Sequence, residues 1–209
     1  MAAAQLRRPG GALKNSGGSG PVGALVVAPL VPEILMTDLR YPIGKFEFPP
    51  GVDDADRPRL IDQIAGLPGE IRRAVAGLDD VKLDTPYRDG GWTVRQVVHH
   101  LPDSHLNAYT RFKLALTEDE PTIKTYEEAR WAELPEARSG PIAVSLALLD
   151  ALHERWVLML RVLAAGQFGR RLRHPDWGVI SLDQMLAMYA WHSRHHVAHV
   201  TALRSRMGW

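Results

Sequence analysis

Apolar residues recur at helical spacing through four separate stretches of this chain. No stretch of useful length alternates apolar and polar residues as a half-buried strand does. Such a pattern commits the chain to packing helices on helices. The first stretch runs from about Asp56 to Leu78, with Leu60, Ile61, Ile64, Leu67, Ile71, Val75 and Leu78 along one stripe. Pro58 is tolerated in its first turn, where the missing N–H has no helical partner, whereas Pro68 is expected to kink or split the helix. The second stretch follows the turn Asp89-Gly90-Gly91 and opens on a Thr93-x-x-Gln96 capping box. It continues through Val94, Val97, Val98, Leu101, Tyr109 and Phe112 to about Leu116, with a bend expected at Pro102. The third begins at Pro141 and turns Leu146, Leu149, Leu152, Trp156 and Leu160 inward. After a loop around His174 to Gly178, a second capping box, Ser181-x-x-Gln184, opens the last helix, which ends near Met207-Gly208. Between the second and third stretches, Glu118 to Ser139 is polar and has little period. A short helix is expected there near Tyr126 to Trp131, and a connection this long serves as a lid or pocket wall. The expected fold is all-α, a four-helix bundle with one long crossover connection.

The chain has 209 residues, enough for one buried core with length to spare. Residues 36–209 are read as that single domain, and residues 1–35 as a disordered tail, or an extension ahead of a true start at Met36. The longest apolar run, Gly23 to Val31, is too short to span a membrane and is interrupted by Pro29. A formal net charge of +1, with basic and acidic residues interspersed, offers no stripe for a phosphate backbone, so nucleic acid is not an expected partner. There are no cysteines, which fits a reducing, cytoplasmic setting. Any metal must then be held by imidazoles and carboxylates, and any thiol chemistry must use a thiol brought in by a substrate.

Seven of the nine histidines lie in two runs: His99, His100 and His105 on the second helix, and His192, His195, His196 and His199 on the last. At about 100° per residue, His192 and His196 share one face with His199 between them, and Met185, Tyr189 and Leu203 extend that stripe. His195 falls towards the edge. Histidines four residues apart on a helix clamp a divalent ion, and a third ligand from another helix leaves a coordination position open for chemistry. The spacing alone does not choose between His99 and His100 as that third ligand. Asp103 is a candidate base or orienting carboxylate, with a solvated or helix-pairing role weighed equally; Arg95, Arg111 and Asn107 are candidates to meet a substrate carboxylate, with surface pairing the default for each. His99, His105 and His199 read as core or rim, with a supporting role open to His199. Trp92 and Trp191 read as core or pocket walls.

The segments YPIG (Tyr41 to Gly44), LDTPYRDGGWTVRQVVHHL (Leu83 to Leu101), DSH (Asp103 to His105), RFKL (Arg111 to Leu114), SLALL (Ser145 to Leu149) and WHSRHHVAH (Trp191 to His199) resemble the YfiT-type branch of the DinB-like superfamily. The resemblance covers about Leu39 to Trp209 and departs at Pro102, where the family usually has Ala. It implies a four-helix bundle, commonly a homodimer, binding one zinc ion per subunit, with nickel or iron as substitutes. Carried over residue by residue, it implies His100, His192 and His196 as the ligands. It implies a metal-dependent hydrolase acting on a small molecule. Two alternatives remain: a thiol S-transferase using bacillithiol or a similar low-molecular-weight thiol, and a non-enzymatic, metal-stabilised stress or interaction module.

Overall fold

A computed structural model describes residues 38–209; the tail expected over residues 1–35 lies outside the described residues. Four long helices dominate: α1 (Arg57–Val75), α3 (Val94–Thr117), α6 (Ile142–Val162) and α7 (Leu182–Met207). Three short ones lie between them: α2 (Asp80–Leu83), α4 (Glu128–Trp131) and α5 (Pro135–Ser139). Both capping boxes form. The Thr93 hydroxyl accepts from the Gln96 N–H at 3.1 Å while Gln96 Oε1 accepts from the Thr93 N–H at 2.9 Å, and Ser181 with Gln184 repeats the exchange at 3.2 and 3.0 Å. Helix α7 stops on Gly208, whose φ of +70° suits a residue without Cβ.

Neither internal proline splits its helix. Pro68 removes the N–H that would reach the carbonyl of Ile64 four residues earlier, yet α1 runs through it unbroken. The freed carbonyl has another donor, since Nδ1 of His153 lies 2.7 Å away. Helix α3 is likewise continuous through the buried Pro102.

In the bundle, α1 packs on α6 and α7, and α3 packs on the same two. The segments joining α1 to α3 and α6 to α7 therefore span diagonals, while the long connection joins the neighbours α3 and α6. That connection is tied down where Gln96 Nε2 donates to the Ala132 carbonyl at 2.7 Å and the Ile123 N–H donates to the Arg173 carbonyl at 3.0 Å.

Contrary to the all-helical expectation, the chain also forms two short strands. β1 (Arg171–His174) and β2 (Gly178–Ser181) form an antiparallel hairpin around the expected loop, in register from Arg171 opposite Ser181 to His174 opposite Gly178. Leu172 and Ile180 face each other across it and are buried. Four-residue strands are too short for a period of two to stand out in sequence.

The core is stratified. One apolar half gathers Ile64, Phe112, Trp156, Leu160, Met185 and Leu186; the other gathers Leu67, Ile71, Val97, Leu101, Leu149 and Leu203. Between them, His105 from α3, His153 from α6, and His192, His196 and His199 from α7 form a layer of imidazoles across the bundle.

Candidate metal centre

Helix α3 carries His100 inward, and α7 carries His192 and His196 one turn apart, so three rings converge from two packed helices. Their ring nitrogens lie within 4.8 Å of one another. His192 Nε2 is 3.3 Å from His100 Nε2 and 3.1 Å from His196 Nε2. Two nitrogens each about 2.05 Å from a tetrahedral zinc would stand about 3.3 Å apart, so the donor set fits a single cation of that size. Burial pushes the pKa of His192 down to about 3 and those of His100 and His196 well below the usual imidazole range, with the neighbouring rings disfavouring charge further. Neutral imidazoles are the form that ligates metal.

His99, the open alternative to His100, points elsewhere. Its Nδ1 lies 2.7 Å from Ser145 Oγ and its Nε2 3.1 Å from the Gly140 carbonyl, at the junction of α5 and α6. His195 also turns away, stacking on Trp191 at 4.3 Å between centroids. Trp92 forms a wall of the cluster, 4.7 Å from the His100 ring and 6.4 Å from that of His196.

His105 and His199, read as core or rim, are buried and also touch the cluster. His105 Nε2 is 3.0 Å from His192 Nδ1, and His199 Nδ1 is 3.4 Å from His196 Nδ1. Two arginines expected to pair at the surface are instead buried. Arg95 donates to Asp84 at 2.6 Å, Asp80 at 2.8 Å and the Gly140 carbonyl at 3.0 Å, bracing α3 against α2 and the start of α6. Arg111 donates to the Lys124 carbonyl at 3.1 Å, holding the long connection. Asn107 donates to the Asp103 carbonyl at 2.9 Å. The Asp103 carboxyl is half-buried, and burial raises its pKa to about 6, with Glu136 adding repulsion. It makes no hydrogen bond to the three rings among the described residues.

His153 was missed by the sequence reading. A signal was present, because Leu146, Leu149, His153, Trp156 and Leu160 continue a three-four repeat that only inward-facing residues keep.

The sequence profile of the DinB superfamily matches residues 63–200. The chain belongs to the DinB superfamily. Within it, a protein of Bacillus cereus (strain ZK / E33L) named "Putative metal-dependent hydrolase" is 52% identical over 174 residues, covering 83% of this chain and 100% of the relative. A protein of Bacillus mycoides (strain KBAB4) with the same descriptive name is 51% identical over the same extents. Among solved structures, YfiT from Bacillus subtilis, described as a probable metal-dependent hydrolase with an unusual four-helix bundle topology, superposes with a TM-score of 0.80 at 48% identity. That match covers 82% of this chain and 98% of YfiT.

Proposed function

We propose that this DinB-superfamily protein is a metal-dependent hydrolase of small molecules, in which His100, His192 and His196 hold one divalent cation per subunit. The observation that carries the reading is the convergence of three ring nitrogens from α3 and α7 at 3.1 and 3.3 Å, two of them on buried histidines and the third on the partly buried His192. Zinc suits three imidazoles, and nickel or iron would serve by availability. When bound, such a cation supplies a Lewis acid and lowers the pKa of water to about 7.

The chain's own groups supply the rest. Three neutral ligands leave the cation's full charge available to a substrate oxygen. Asp103 follows His100 by one turn of α3, and with a pKa of about 6 its carboxylate is ionised at neutral pH and ready to accept a proton at Oδ. Trp92 shields one side from water. The long connection brings Tyr126 and Trp131, ring centroids 4.6 Å apart, as an apolar platform for substrate.

No helix of the described residues is long and apolar enough to cross a membrane, and a cytoplasmic homodimer is the setting we assign. The outward face of α6 supports the dimer, with Val144, Leu148, Leu158 and Val162 on one exposed stripe.

The test combines metal content and turnover. His192→Ala should lose the stoichiometric zinc while circular dichroism shows the helices retained; a full equivalent of zinc in that variant would overturn the ligand set. Zinc-loaded protein should hydrolyse model esters or amides without any thiol. Turnover strictly dependent on an added small thiol would replace hydrolysis with S-transfer, and no turnover at all would leave a metal-stabilised module.

A further inference from the structure

We propose that two relays of hydrogen-bonded imidazoles, each anchored on a backbone carbonyl, fix which nitrogen of His192 and His196 is left bare, making His105, His153 and His199 positioning residues for the metal centre. The proposal rests on the reading of His100, His192 and His196 as ligands and adds how two of them are held ready.

The longer relay starts at a helix defect. Pro68 has no N–H, so the Ile64 carbonyl receives no helical hydrogen bond, and His153 Nδ1 lies 2.7 Å from it. A carbonyl oxygen only accepts, so the proton of this contact is on His153 Nδ1. A neutral imidazole has one N–H, which leaves His153 Nε2 bare. His105 Nδ1, 2.9 Å from that atom, must then donate to it. His105 Nε2 is bare in turn and accepts from His192 Nδ1 at 3.0 Å. The remaining nitrogen of His192, Nε2, therefore carries a lone pair where it faces His100 and His196. Reversing any one ring would set two protons or two lone pairs against each other.

The shorter relay has the same logic. His199 Nε2 lies 3.2 Å from the Arg40 carbonyl and donates to it. Its bare Nδ1 accepts from His196 Nδ1 at 3.4 Å, leaving His196 Nε2 bare as well. The two bare Nε2 atoms are 3.1 Å apart with no proton between them, an arrangement that a cation satisfies.

Packing holds the rings in line. His105 stacks on His153 at 4.9 Å and meets Trp156 and Tyr189 edge-on at 5.8 and 5.2 Å. No carboxylate forms an ion pair with a relay ring among the described residues. Asp150 and the accepting carbonyls of Ile64 and Arg40 favour charge on His153 and His199, but burial outweighs them and keeps both rings neutral. An isolated neutral histidine prefers its proton on Nε2; the relays impose the opposite tautomer on both ligands.

The experiment reads tautomers in the full-length chain by long-range proton–nitrogen correlations of ¹⁵N-labelled histidine rings, before and after adding zinc. Before zinc, His153, His105, His192 and His196 should carry the proton on Nδ1, and His199 on Nε2. A proton on Nε2 of His192 or His105 overturns the proposal. In a second arm, His153→Leu should weaken zinc binding about 10- to 100-fold. His153→Gln should recover most of that loss, because its amide can accept from His105 and donate to Ile64. A folded His153→Leu variant with wild-type zinc affinity overturns the positioning role, and if that variant does not fold, the tautomers of the unaltered chain still decide. The expected tautomers in a wild-type chain that takes up no zinc would support the relays while removing the ligand reading.

Discussion

The apolar halves of the bundle and the imidazole layer between them are held together by different physics. In the halves, Ile71, Leu101 and Phe112 are fully buried and need only neighbours of the right shape. Burial of this kind is non-directional and insensitive to pH. In the layer, each ring must find a partner for both nitrogens, because a buried polar group left unpaired costs about 1–3 kcal/mol. The halves therefore tolerate repacking, whereas the layer has few solutions. A bundle could be built from the halves alone; the layer gives this one a cluster of lone pairs.

Acid should break the comparison most sharply. Unfolded, an imidazole takes up a proton near 6.5, whereas burial holds His153 and His199 down to about 4 and His105 well below the usual range. The unfolded chain thus binds more protons as pH falls through 6.5. Stability contributed by these neutral rings is fully present above that pH and is lost towards pH 4, at about 1.4 kcal/mol per pH unit for each ring. Urea unfolding of metal-free protein should show a loss of several kcal/mol between about pH 7 and pH 5. A flat profile would mean the layer is hydrated and titrates freely.

A cut in the apolar half should have the opposite signature. Ile71→Ala removes a fully buried side chain two turns from the layer and should cost about 3 kcal/mol at any pH. Zinc affinity, measured by competition with a chelator, should stay at the wild-type value. A large drop in affinity would show that the two regions are coupled, against the separation drawn here.

The same difference explains what could be read from the sequence. The four long helices, both capping boxes and the inward stripes were legible because local spacing carries them. So was the pairing of His192 with His196, one turn apart, and the family pattern pointed to His100. The relays were not legible, since His153 meets His105 across 48 residues and Ile64 across 89. The inward burial of Arg95 was hidden for a related reason: its partners are Asp80 of α2, Asp84 just after α2 and Gly140 just after α5, which only the folded bundle brings together. Pro68 shows the limit best. Local rules read it as a helix breaker, and the tertiary structure uses the carbonyl it frees.

The smallest expected effect tests the border between the layer and the proposed substrate side. Asp103 has its pKa raised by burial to about 6, above the 3.8 of an ordinary Asp carboxyl. Its charge therefore destabilises the fold nowhere below 3.8, increasingly between 3.8 and 6, and fully above. Asp103→Asn should raise stability at pH 7.5 by about 1 kcal/mol, a figure discounted for the half-exposed carboxyl. The gain should vanish below about pH 4, in both cases read from urea midpoints. If the carboxylate accepts a proton during hydrolysis, the stabilised variant should also turn over more slowly with zinc still bound, which is how a functional group kept at a cost to stability behaves. A variant no more stable than wild type would show an Asp103 that ionises as freely as a surface carboxylate, and the case for it as the base would go with that result.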